Sequence, residues 1–115
     1  MPKSEVYEQE LAKLNDIFKD VDPAKAQLVE GLIKDAAFLA AENHKLRELI
    51  EKTGMVKVHP NNPSLQKTFE AGRQYLKNIN SYAVIIKTLN GVLSKHAVED
   101  DDEFEKFLRD ARRDE

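Results

Sequence analysis

The feature that most restricts this chain is a pair of long apolar registers, each stepping alternately by three and four residues, on predicted helices separated by about nine. The first runs Val29, Leu32, Ala36, Leu39, Asn43, Leu46 and Ile50; the second runs Leu65, Phe69, Gly72, Leu76, Ile79, Ala83, Ile86, Asn90, Leu93 and Ala97. Only an α-helix puts side chains at that spacing on one stripe, and thirty-odd residues at about 1.5 Å each make rods of roughly 45 Å. Joined by so short a connection, the rods are predicted to fold back as an antiparallel hairpin. Pairing positions that sum to about 117 sets Leu39 by Ile79 and Leu46 by Gly72, with large side chains mostly against small ones.

Local signals place the boundaries. Asp22-Pro23 and Asn62-Pro63 each read as an N-cap followed by a proline where no N–H is needed, so the long helices are predicted over 23–53 and 63–97. Gly54 suits a left-handed C-cap. Met55-Val56-Lys57-Val58 is β-branched enough for a short strand, but no neighbouring strand is evident; the segment reads as a loop, or as a strand paired on another chain. An N-terminal helix capped by Ser4 carries Tyr7, Leu11, Leu14 and Phe18 on one face and ends near Asp20. A last helix starts in the acidic run 99–103, where Asp100 and Glu103 have capping-box spacing. It places Phe104, Phe107, Leu108 and Ala111 on one side, and Arg109, Arg112 and Arg113 close its negative end.

The expected architecture is all-α: a long antiparallel two-helix hairpin with short helices at both termini. Residues 1–98 form the hairpin and oligomerisation domain with a basic tip, and residues 99–115 an acidic C-terminal short helix or tail. A second stripe on the third helix, Tyr75, Tyr82, Ile85, Leu89 and Val92, widens its apolar face beyond one seam, and is the expected oligomer interface. Asn43 and Asn90 sit at heptad core positions, where a polar residue either fixes register or reaches water at the rim.

Catalytic chemistry finds no foothold. The chain has no cysteine, which removes disulfides, thiolate nucleophiles and Cys-built zinc sites and suits a reducing compartment. His44, His59 and His96 are too dispersed for a metal site; the four glycines form no phosphate-cradling loop; Ser64, Ser81 and Ser94 lack a nucleophile-elbow setting. Neither enzyme activity, metal nor cofactor is expected. Met-Pro-Lys-Ser-Glu-Val-Tyr-Glu has no apolar run after the lysine, so a cytoplasmic protein without signal peptide or membrane span is expected.

Charge is divided along the chain. Residues 1–44 carry 5 Lys/Arg against 9 Asp/Glu, residues 45–98 carry 9 against 3, and residues 99–115 carry 4 against 9. The basic middle gathers Lys45, Arg47, Lys52, Lys57, Lys67 and Arg73 near the tip, with Lys77, Lys87 and Lys95 beyond. Such a cluster reads either as a DNA phosphate-binding surface or as a solvated face balanced by acidic neighbours. No helix-turn-helix, finger or ribbon motif accompanies it. Phe104, Phe107 and Leu108 give the acidic C-terminal segment an apolar side, which either docks a partner or packs on its own hairpin.

Three stretches resemble a known family: Leu14-Asn15-Asp16-Ile17-Phe18-Lys19-Asp20-Val21, then Leu28-Val29-Glu30-Gly31-Leu32-Ile33-Lys34-Asp35-Ala36-Ala37-Phe38, then residues 46–50 with Gly54-Met55-Val56. They are similar to the compact helical small terminase subunits of tailed bacteriophages, a likeness that continues to Tyr82 and Leu89 and covers about residues 10–93. The resemblance implies a non-enzymatic DNA-packaging protein of the host bacterial cytoplasm. Such proteins assemble into a homo-oligomeric ring, bind viral double-stranded DNA and regulate the large terminase subunit, which carries the ATPase and nuclease. Many small terminases have a separate N-terminal helix-turn-helix; this chain does not, so its DNA contact is expected through phosphates. The alternative reading is a helical oligomeric scaffold or adaptor without nucleic-acid binding.

Overall fold

The computed structural model describes residues 1–113, with side chains for 1–95, 97 and 104–111. The protein is mostly helical, in the order α1 (Lys3–Ile17), α2 (Pro23–Thr53), β1 (Val56–His59), β2 (Asn62–Thr68) and α3 (Glu70–Arg113). It is elongated, 85 × 30 × 18 Å. No helix among the described residues is long and apolar enough to cross a membrane.

Helix α2 lies between the other two. Facing two neighbours requires an apolar surface wider than one stripe and small enough for close approach, and the alanines supply it: Ala36, Ala37 and Ala41 are buried along with Val29 and Ile33. On one side α1 packs Leu14 and Phe18 into the core, and the turn that follows adds Val21. On the other side α3 contributes Leu89, with Tyr82, Ile85, Ile86, Val92 and Leu93 packed around it. Arg47, late in α2, meets Tyr75, early in α3, whereas Leu89 shares a cluster with Val29 and Ile33; the chain direction therefore reverses between the two helices.

The boundary signals around α2 match the structure. The Asp22 side chain accepts from the Lys25 N–H at 3.0 Å and Pro23 occupies the first turn. Gly54 ends the helix at φ 78 and ψ 173, a region essentially restricted to glycine, although not the left-handed helical cap expected. Helix α1 begins at Lys3 after Pro2, with no side-chain cap, so Ser4 lies inside the helix instead of capping it.

Three expectations need correction. First, the fold is not all-α: the chain from Asn62 is a strand, antiparallel to β1, with Val56 opposite Thr68, Lys57 opposite Lys67 and Val58 opposite Gln66. Asn62 does not cap a helix there. Its Oδ1 accepts from the Ser64 N–H and hydroxyl, the local turn bonding that Asn-Pro also favours, and α3 starts only at Glu70. Second, α3 is continuous to Arg113, with no break at residue 98 and no separate short C-terminal helix. Nothing after Gly91 interrupts it, since the chain has no proline beyond Pro63. The expected caps at Asp100 and Glu103, and the side chains of His96, Arg112 and Arg113, lie outside the described residues, as do residues 114–115.

Third, α3 is rotated relative to expectation. The stripe Tyr75, Tyr82, Ile85, Leu89 and Val92 faces the chain's own α1 and α2, and Leu89 is only 2% exposed. The seam expected to face inward is instead partly open, with Leu76 50% exposed and Ile79 and Ala83 also exposed.

Candidate nucleic-acid interface

The two strands form a ribbon whose residues are all exposed. Its root is fixed at two points. The Phe69 N–H donates to the Met55 carbonyl at 3.1 Å, and Gly72 lets α3 approach that carbonyl so closely that a Cβ would lie 3.2 Å from the oxygen. Beyond the root, residues alternate between the two ribbon faces. Lys57 and His59 from β1 share a face with Lys67 and Leu65 from β2, around a shallow concavity of about 330 Å³. Val56, Val58 and Thr68 belong to the other face, and Gln66, opposite Val58, also borders the concavity. A bulge follows Val58, and at the tip the Asn61 N–H donates to His59 Nδ1 at 3.1 Å.

Of the six basic residues expected to contact DNA, the structure brings Lys57 and Lys67 directly opposite each other, with Cα atoms about 5 Å apart as usual across an antiparallel pair. Neither forms an ion pair among the described residues. Like charges placed opposite each other repel, and no carboxylate among the described residues relieves them. Lys52, on the last turn of α2, is also exposed and without an ion pair among the described residues. The other three are engaged. Arg73 donates to Glu70 at 2.7 Å. Lys45 lies 3.4 Å from Glu48. Arg47 donates Nε and Nη2 to the Tyr75 hydroxyl at 3.2 and 3.1 Å, with its guanidinium over the ring. Glu48 is held below its ordinary pKa: loss of water raises it, but the Lys45 hydrogen bond and the charges of Lys45, His44 and the N-terminus outweigh that. Of these six, the cations without a side-chain partner among the described residues are therefore on the ribbon and the α2 end beside it; Lys77, Lys87 and Lys95 along α3 are exposed and likewise form no ion pair among the described residues.

The sequence reading missed His59, Leu65 and Gln66 as members of this surface. The available signal was the alternating run Val56-Lys57-Val58-His59 followed by the turn-forming Pro60-Asn61-Asn62-Pro63; the return strand shows no alternation of its own, and the helix-start pattern at Asn62-Pro63 masked it.

Two other features lie apart from the ribbon. Asn43 is 8% exposed with its Oδ1 unpartnered among the described residues, beside a cavity of about 300 Å³ lined by Val6, His44, Arg47 and Tyr82, whereas Asn90 is exposed. Tyr82 donates its hydroxyl to Glu10 at 2.6 Å, tying α3 to α1. Burial together with that hydrogen bond and the Glu10 charge pushes the Tyr82 pKa up to about 12. The folded state thus holds this proton more tightly than the unfolded chain, and the stability gained is complete below pH 10 and is lost as pH rises towards 12. Thermal melts across that window are expected to fall more steeply for the parent protein than for Tyr82→Phe; equal slopes would show that the hydroxyl contact contributes nothing.

At the far end, Phe104 is 62% and Phe107 68% exposed, and Leu108 is exposed as well. The apolar side of the acidic segment therefore does not pack on the chain's own helices. Comparison of the chain with protein-family models, with curated proteins and with solved structures finds no match.

Proposed function

We propose that this chain is a small terminase subunit of a tailed bacteriophage, a non-enzymatic protein of the host bacterial cytoplasm that binds viral double-stranded DNA and regulates a large subunit carrying the ATPase and nuclease. The observation that supports it most is the cross-strand Lys57–Lys67 pair, an exposed double positive charge that a phosphate backbone would neutralise. In this reading α2 and α3 act as a long antiparallel hairpin, the building unit of a homo-oligomeric ring. Because Tyr82, Ile85, Leu89 and Val92 serve the internal core and Tyr75 is held by Arg47 of α2, the ring contact falls on the exposed Leu76, Ile79 and Val84. Repeating the ribbon around a ring axis multiplies weak contacts into useful avidity. Phe104, Phe107 and Leu108 form the docking surface for the large subunit.

Binding to viral duplexes, measured at several salt concentrations, tests the reading. The log–log slope is expected to be about 0.9 per neutralised phosphate, and light scattering is expected to show a multiple of 13.1 kDa. An assembled protein that binds no duplex even at low salt would instead support a scaffold or adaptor, which the exposed apolar residues of α3 also suit. Deleting residues 99–115 is expected to change stability by less than about 0.5 kcal/mol, since Phe104 and Phe107 are exposed, while abolishing co-purification with the large subunit. A large fall in melting temperature would assign the segment a packing role.

A further inference from the structure

We infer that the β1–β2 ribbon enters the major groove of duplex DNA with its Lys57/Lys67 face towards the base edges, so that the protein prefers guanine-containing sites as well as holding phosphates. This rests on the proposal that the chain binds double-stranded DNA, and adds to it a reading element that the sequence did not reveal.

The argument begins with shape. Strands about 4.8 Å apart, with side chains on both flanks, make a body about 10 Å across, and the B-form major groove, about 12 Å wide, admits a two-stranded ribbon. All residues of β1 and β2 are exposed, and the ribbon is tied to the helices only at its root, so it presents both faces and its tip without unfolding anything.

Chemistry selects the face. Lys57 and Lys67 stand side by side with no carboxylate partner among the described residues, and lysine ammonium groups match the paired acceptors O6 and N7 that guanine shows in the major groove. His59 Nδ1 accepts the Asn61 N–H, which leaves Nε2 as the protonated nitrogen and hence an outward donor on the same face. Leu65 completes that face with an apolar surface of the kind that contacts a thymine methyl. Lys57, Lys67 and His59 all present donors on this face, with the Gln66 amide at its border able to donate as well as accept, and the major-groove edge of guanine offers two acceptors. Lys52, on the last turn of α2, lies outside the ribbon and contacts phosphate, so charge on the ribbon and charge beside it perform different tasks.

A duplex pool of random sequence, enriched on the full-length protein at moderate salt, is expected to converge on guanine-containing sites. Replacing guanine by 7-deazaguanine in an enriched duplex, which removes the N7 acceptor and leaves the phosphates intact, is expected to weaken binding about ten-fold. The double variant Lys57→Ala/Lys67→Ala is expected to lose the difference between natural and 7-deaza duplexes, whereas Lys52→Ala weakens both alike. Circular dichroism establishes that each variant is folded, and Lys57→Arg/Lys67→Arg, which keeps the donors, should retain the discrimination. Equal affinity for natural and 7-deaza duplexes, or equal affinity for A-form RNA duplexes whose major groove is too deep and narrow for a ribbon, would overturn the inference and leave phosphate binding standing. Absence of binding to any duplex at low salt would instead remove the DNA reading itself.

Discussion

Leu89→Ala is expected to destabilise the protein by about 2–5 kcal/mol, because it empties the position where α3 meets α2. Leu89 is 2% exposed and clustered with Val29, Ile33 and Ala36, so the neighbours have little freedom to collapse into the space. For a chain of this length the loss corresponds to a fall in melting temperature of roughly 10 °C or more. The comparison is Leu76→Ala, on the open side of the same helix, for which a change within about 0.5 kcal/mol in the fold of the protomer is expected, any larger effect falling on assembly. Thermal denaturation of the two variants distinguishes the two possible rotations of α3. Were Leu89 an intersubunit residue, as its place in the sequence suggests, its truncation would alter the assembly and spare the monomer core. If Leu76→Ala proves the more damaging change to the protomer fold, α3 is turned the other way.

Reversing the three tip cations that have no side-chain partner among the described residues, with Lys52→Glu, Lys57→Glu and Lys67→Glu together, is expected to have the largest effect on DNA binding. If all three cations displace counterions, whether at phosphates or at base edges, their loss flattens the log–log salt dependence by up to about 2.7, which at 0.1 M salt corresponds to a loss of up to about two to three decades in affinity. The same change in Lys45, Arg47 and Arg73 is expected to act less on DNA, because those cations already meet Glu48, Tyr75 and Glu70. Filter binding or anisotropy at two salt concentrations reads both effects. Parent-like binding by the first triple variant would exclude the ribbon end as the contact surface.

The basic cluster was legible in the sequence as a charge count, but not which of its members are free. Lysines and arginines are counted alike whether they face water or a carboxylate; Glu70 and Arg73 are three apart on one helix, a pairing that spacing allows, but only the fold brings the Tyr75 hydroxyl to Arg47. The ribbon was illegible for a related reason. Both of its faces are exposed, so no apolar alternation marks Asn62–Thr68 as a strand, and Asn-Pro serves a turn as well as a helix start. Leu65 and Phe69 continue the helical spacing backwards from α3 although the helix begins only at Glu70. The antiparallel partner, which converts Met55-Val56-Lys57-Val58 from an isolated apolar run into part of a sheet, lies in the segment that carried this false signal.

By itself the sequence determined that an N-terminal helix and a long second helix form and where the second starts and stops, because caps, prolines and glycines act through bonds among neighbouring residues; α1, expected from Ser4 to near Asp20, runs instead over Lys3–Ile17. Asp22 bonds the Lys25 N–H, Pro23 opens α2 and Gly54 closes it, whatever the rest of the chain does. Only the tertiary structure decided which side of α3 is the inside. Two apolar stripes run along that helix less than a half-turn apart, and its own periodicity ranks them equally. The choice falls to the stripe that fills space against α2 while letting Tyr82 reach Glu10 on α1, a condition set by residues up to 72 positions away.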